Sequence, residues 1–255
     1  MEVICPSGLR GEVRRFKVRD ERIITDARLG RSGRLITELL NAVWERTDDP
    51  GPYGGHVAAG GKLNWAKVSC ADRYHALIQT RITTHGPEYE FQVPCRESGC
   101  QTPILHTVDL GALPCRAMAE EMRAGISSGE WCTTTLTDGR SIRFRPLLGE
   151  DEQWLAAIER DRPHETTTMA FVRRIVAIES VPDHPGKILE AVQDLDESEA
   201  GRLRDYIEGL EGGYDTGVMV TCERCGDTRQ VLLPFGLGFF SRRKRSLGHA
   251  TEASG

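Results

Sequence analysis

The stretch over residues 70–110, CADRYHALIQTRITTHGPEYEFQVPCRESGCQTPILHTVDL, reads as a helix, a strand, a Cys-x4-Cys knuckle and a second strand. Ser69 stands as N-cap with Asp72 three positions on, the spacing of a capping box. Tyr74, Leu77, Ile78 and Ile82 then share one helical face, and Arg73 and Arg81 fall on other faces. Gly86-Pro87 ends the helix. Tyr89, Phe91 and Val93 alternate with Glu88, Glu90 and Gln92, the pattern of a half-buried strand. The Cys95–Cys100 knuckle follows at once, and a knuckle needs a partner.

That partner lies in VMVTCERCGDTRQVLLPF, residues 218–235. Cys222 and Cys225 are separated by two residues between two strand-like runs, and Gly226 permits the tight turn that a knuckle needs. Two such pairs, each following a strand, supply four soft ligands for a tetrahedral metal. The spacing therefore predicts structural zinc on Cys95, Cys100, Cys222 and Cys225. A rival closure replaces one of them with Cys115, Cys132 or His106. Cys5, Cys70, Cys115 and Cys132 read as buried free thiols, and that bland reading extends to the whole set. Four Cys ligands leave no open coordination position, so such a site staples a fold and activates no water.

The chain has 255 residues, 39% hydrophobic and 28% charged, with a formal net charge of −5. This length builds one large domain or two small ones, and the negative charge argues against a protein that coats nucleic acid. Charge is uneven: Arg and Lys crowd residues 10–34 and 242–245, and Asp and Glu dominate residues 150–211. The start, MEVICPSGLRGEV, lacks the basic-then-apolar order of a signal peptide, and no run reaches membrane-spanning length. A reducing cytoplasm is the expected setting, where clustered Cys residues read as metal ligands before disulfides.

Elsewhere, residues 2–24 read as a β-hairpin or two strands with a turn at Pro6-Ser7-Gly8, and residues 33–46 as a helix stopped by Asp49-Pro50-Gly51-Pro52. GGHVAAGGK in the Gly-rich loop 47–62 fails as a phosphate-binding loop: His56 occupies the first required Gly and Leu63 follows Lys62. A short helix is expected over 113–123 and a hairpin over 131–146 around Asp138-Gly139. Helices are expected over 150–160 and 166–179, then from Ile188 to Leu195, then after a cap at Asp194 or Asp196. The expected class is α+β: small β-hairpins and a zinc-ribbon-like module assembled from distant segments, with a helical insertion. Its expected segments are 1–148 with the first knuckle, helical 149–212, a C-terminal strand pair 213–240 with the second knuckle, and a disordered basic tail 241–255.

No HExxH, GxSxG or GxGxxG stands in a suitable context. His75 and His85 lie near Asp72 and Glu88, but a lone His beside charged residues is usually a surface group. No enzyme and no small-molecule substrate are expected.

The order of motifs has a likeness. An early PSG turn leads into an Arg-rich strand, and DRYHALIQTRITTHGPEYEF runs into paired Cys and HTVDLGAL. LTDGRSIRFRP follows, and VTCERCGDTRQVLLPFGLGFF closes the chain. Over residues 5–240 this order resembles the baseplate hub family of contractile-tailed, T-even-like phages and related contractile injection systems. The resemblance implies a minor structural component or assembly factor of the hub, with no catalytic residues and with other tail and baseplate hub proteins as partners. It implies making in the bacterial cytoplasm, with the tail baseplate as a destination. Phe235, Phe239 and Phe240 would then either anchor in a partner or pack on the protein's own core. The alternative from another class is a zinc-ribbon nucleic-acid-binding regulator using the basic residues of 10–34 and 242–245.

Overall fold

A computed structural model describes residues 1–240 as an α+β fold of small antiparallel sheets and short helices. Strands β1 (Glu2–Ile4) and β2 (Arg10–Val13) pair through the Pro6-Ser7-Gly8 turn, where Gly8 holds φ +93°. The expected hairpin ends there. Residues after Lys17 turn into short helical pieces, including α1 (Glu21–Ile24) and α2 (Ala27–Arg31). Helix α3 (Leu35–Val43) also ends before the expected stop, because residues 44–49 leave it as strand β3 (Trp44–Asp49) and pair with β2. Gly11 permits that pairing: a Cβ there would lie 2.2 Å from Arg46 O and 2.4 Å from the Trp44 ring.

Helix α4 (Cys70–His85), β4 (Glu88–Pro94) and β5 (Pro103–Asp109) follow the sequence pattern closely. Ser69 caps α4 by accepting the Asp72 N–H at 3.3 Å. The reciprocal half of the capping box does not form. Asp72 instead accepts from Ser7 N–H at 3.0 Å and from the Tyr53 hydroxyl at 2.5 Å. Arg73 and Arg81, off that apolar face, are both buried. Arg73 donates to Trp65 O at 2.6 Å, Thr37 Oγ1 at 3.1 Å and Glu152 at 2.5 Å. Arg81 donates to the Gly86 and Glu88 carbonyls at 2.8 and 3.0 Å, just past the C-terminus of α4.

Strand β6 (Cys115–Arg116) takes the first part of the expected 113–123 helix, so α5 (Glu120–Ser128) starts later. Strands β7 (Cys132–Thr135) and β8 (Ser141–Phe144) form the expected hairpin, in which only Gly139 of the turn pair takes positive φ, +89°. Helices α6 (Gly149–Asp161) and α7 (Thr166–Arg174) follow. The helix expected over 166–179 stops at Arg174, and β9 (Ile175–Ile178) joins β8 to complete the sheet order β7-β8-β9. Ile-Val-Ala-Ile is rich in β-branched residues, and over so short a window its apolar pattern suits either period. Helices α8 (Pro185–Gln193) and α9 (Glu197–Glu211) lead to β10 (Gly213–Tyr214), which pairs with β6. The β11 (Gly217–Thr221) and β12 (Thr228–Leu232) hairpin and α10 (Leu237–Phe240) complete the described chain. The tail 241–255 lies outside the described residues.

Two apolar cores form. One gathers Leu9, Val13, Phe144, Phe171, Leu203 and Ile207; the other gathers Leu77, Tyr89, Phe91, Val220, Phe239 and Phe240. The helices of 149–212 pack into the first core together with the N-terminal strands. Helices α3 and α4 stand at the seam. Leu40 and Ala76 point into the first core, and their neighbours Leu39 and Leu77 into the second.

Ion pairs, centred on the buried Asp151 and the partly buried Glu211, clamp the helices of 149–211 to the loop after β8. Asp151 accepts from Arg145 at 2.6 and 2.9 Å, from Arg173 Nε at 2.6 Å and from Leu148 N–H at 2.9 Å. Glu211 accepts from Arg174 at 2.8 and 3.0 Å and from Leu147 N–H at 3.1 Å. Removing one partner of such a pair strands the other charge, so Arg174→Met is expected to cost roughly 3–5 kcal/mol in urea unfolding. Adding Glu211→Gln should recover part of that loss.

Asp72 gives a pH-dependent test. Burial raises its pKa above the ordinary carboxylate value, against the hydrogen bonds from Ser7 and Tyr53. A carboxyl raised on folding favours the fold fully below its unfolded pKa, about 3.9, and loses that contribution as pH rises through the folded value. The stability of wild type relative to Asp72→Asn, followed by thermal melts, should therefore fall as pH rises from about 4. A constant difference across that range would contradict an elevated pKa.

Candidate metal centre

The sequence brings four sulfurs to one point through two similar knuckles at the ends of two hairpins. In the first, Cys95 N–H donates to Thr102 O at 2.9 Å and Cys100 N–H to Glu97 O at 3.1 Å. In the second, Cys222 N–H donates to Asp227 O and Gly226 N–H to Cys222 O, both at 2.8 Å. In each, the first Cys N–H reaches the carbonyl two residues past the second Cys. Gly99 and Gly226 hold φ +81° and +76°, which a residue with a Cβ adopts only under strain.

The Cys95, Cys100, Cys222 and Cys225 sulfurs all lie within 4.8 Å of one another. Cys95 and Cys225 are 3.7 Å apart, and so are Cys100 and Cys222. A disulfide would require about 2.05 Å. A tetrahedron with metal–sulfur bonds of about 2.3 Å has edges of about 3.8 Å. The four sulfurs therefore fit a single tetrahedral ion, and no other group of three or more such ligands converges among the described residues. Cys95 and Cys222 are buried, Cys100 is half-buried and Cys225 is exposed.

Four thiols this close resist joint ionisation. Hydrogen bonds with Thr102, from its hydroxyl and then its backbone, pull Cys100 down to about 6. Cys225 is lowered by the Asp227 backbone, but desolvation within the cluster and the three neighbouring sulfurs push it up to about 12. Cys95 also ends above its ordinary value despite the Glu97 N–H, which donates to its sulfur at 3.4 Å. A divalent cation is the partner that lets such a set deprotonate together.

The rival ligands lie elsewhere. His106 packs against Phe91, with ring centroids 5.5 Å apart. Cys132 contacts Met122 Sδ at 3.9 Å in the first core. Cys115 lies 3.5 Å from His75 Nδ1. The imagined acid–base pairs do not form either. The His75 ring stacks on Tyr214 and burial pushes it down to about 4, whereas Asp72 engages Ser7 and Tyr53. His85 Nε2 lies 3.0 Å from Phe240 O.

Residues the ligand spacing did not point to surround the cluster. The Cys100 thiol donates to Thr102 Oγ1 at 3.3 Å, and the direction reverses once the sulfur is a thiolate. Asp227 Oδ2 lies 3.9 Å from Cys95 Sγ. Arg229, on β12, donates to Pro94 O immediately before Cys95 and so ties the two hairpins beside the cluster. The sequence carried one signal for the first two: a polar residue stands two positions after the second Cys of each pair.

Neither a family model nor a curated protein nor a solved structure matches this chain.

Titration of the reduced chain with cobalt(II) should give a sulfur-to-metal charge-transfer band that saturates at one equivalent. Cys222→Ala should abolish the tetrathiolate spectrum and Cys132→Ala should leave it unchanged. The opposite pattern would move the centre to the rival ligands.

Proposed function

We propose that this chain is a zinc-stapled, non-catalytic protein of a phage-type contractile tail, serving at the baseplate hub as a structural component or an assembly factor. The observation that carries the structural part is the closed four-sulfur shell. Four thiolates fill a tetrahedral ion, leaving no position for substrate or water, so the ion's work is to hold chain segments together. Tetrahedral S4 ligation suits zinc, with iron as the other common occupant. Cys95 and Cys100 would hold it from the first hairpin, and Cys222 and Cys225 from the second. The baseplate part rests on the order of motifs along residues 5–240. Its partners would be other tail proteins, met first in the cytoplasm of the producing bacterium.

The nucleic-acid reading draws less support. Four of the nine basic residues in the 10–34 region are held in ion pairs: Arg14 with Asp20, Arg28 with Asp26, Arg34 with Glu38 and Arg10 with Asp49. Phosphate binding would have to compete with these pairs. The closing aromatic residues also serve the protein itself. Phe239 and Phe240 are buried in the second core, with Phe239 edge-on to Tyr89 at 5.2 Å.

Two measurements test the reading. Elemental analysis should find one zinc per chain; iron in its place would overturn the choice of metal. Quantitative mass spectrometry of purified tails should find a few copies of the chain per particle, as a hub component. Absence from particles, with tails failing to form when the gene is deleted, would make it an assembly factor. Absence together with normal tails would reject the baseplate role.

A further inference from the structure

A cavity of about 770 Å³, lined by none of the metal-centre residues, opens between the C-terminal end of α5, α6, α7, β9 and α8. Its wall includes the buried side chains of Ile126, Leu148, Met169, Ile175 and Ile188. Trp154, which also lines it, is 36% exposed. Protein interiors carry few voids larger than a water molecule. A hollow of this size and apolar character falls within the range of ligand sites, about 300–1,000 Å³.

Its charges are arranged unevenly. Arg145 and Arg173 both line the cavity and both bind the single carboxylate of Asp151. Two guanidinium groups on one carboxylate leave a local excess of positive charge at Arg173, while the lining as a whole, with Lys67, Glu150 and Asp183, is balanced. Arg173 is the exposed member of the set: it spends Nε on Asp151 and lies 5.4 Å over the Trp154 ring. Of the two acids lining the cavity, Glu150 is paired with Lys67 at 2.5 Å and Asp183 is exposed on the loop before α8. Exposed Trp and Arg side by side at an apolar hollow are the residue types that concentrate binding energy in protein contacts. The chain's own C-terminus does not suit the hollow. SRRKRSLGHATEASG carries one large apolar residue, Leu247, behind a run of positive charge.

We propose that this cavity seats the apolar side chains of an amphipathic segment of a partner polypeptide, with an acidic residue of that segment pairing with Arg173. The inference rests on the structural-protein reading only in taking the occupant to be protein.

The test uses the full, metal-loaded chain and three labelled synthetic peptides followed by fluorescence anisotropy. The first carries Leu and Trp at helical spacing with Glu flanks, the second the same apolar residues with Lys flanks, and the third only the Glu flanks. The first should bind, the second roughly tenfold more weakly, and the third not at all. Arg173→Glu should invert the preference between the first two. Val172→Trp, which fills the cavity, should abolish binding of both at an unchanged melting temperature. Equal binding of the first two peptides, no binding by any, or full binding by Val172→Trp would overturn the proposal. Binding of dodecanoate with no binding of peptide would replace it with a small-molecule site. Self-association that Val172→Trp removes would replace it with a contact between copies. Failure here leaves the particle composition untouched, and absence from particles leaves peptide binding untouched, so the two readings fail separately.

Discussion

Asp72 and Arg73 sit side by side in the first turn of α4, both fully buried, and together they tie α4 to five other segments of the chain. Successive helical positions point about 100° apart, so one turn reaches two sets of neighbours. Asp72 binds the Pro6-Ser7-Gly8 turn and Tyr53. Arg73 binds α3, the Trp65 segment and α6. Their solvation problems differ. Asp72 can stay neutral, and burial raises its pKa in that direction. A guanidinium does not deprotonate, so Arg73 requires Glu152 and the carbonyl of Trp65. Gly149 follows from that requirement, since a Cβ there would lie 2.4 Å from Arg73 Nη1 and 2.5 Å from Trp65 O.

The sulfur cluster solves a second problem. The β4–β5 and β11–β12 hairpins are two-stranded sheets, and such hairpins are marginal alone in water. Tyr89, Phe91, Val218 and Val220 place one face of each hairpin in the second core. The far ends, where the knuckles lie, have little apolar surface left to bury. Joining Cys95 to Cys225 closes a loop of 130 residues. A cross-link over so long a loop removes more chain entropy from the unfolded state than a short one does. Arg229 adds a direct bond between the same two hairpins.

The four-cysteine cluster and the cavity between α6, α7 and α8 share no lining residue. The ion pairs of Asp151 and Glu211 build the cavity's frame while fixing α6, α7 and α9 to the sheet. On the proposed reading the protein has a rigid end, cross-linked by an ion, and a receptive end, framed by charges and lined with apolar side chains. That division suits a protein whose work is to be held by others.

What the residues determined alone was local. The 70–94 helix and strand, the Asp138-Gly139 hairpin and both knuckles follow from short-range patterns: an N-cap, a Gly-Pro stop, strict alternation, and Cys spacing next to Gly. The convergence of the four cysteines was legible because two closely spaced pairs, each after a strand, stood out against isolated cysteines. The tertiary structure decided what depends on a distant partner. Trp44–Asp49 and Ile175–Ile178 are strands because β2 and β8 offer open edges, which no local period encodes. Arg73 is buried because the Trp65 carbonyl and the Glu152 carboxylate of α6 receive it. Asp72 matches a capping box by spacing, yet Ser7 and Tyr53 compete successfully for its carboxyl. Helix caps and turns act over a few residues and can be read along the chain; hydrogen-bond partners across 65 residues or more depend on which surfaces the fold brings together.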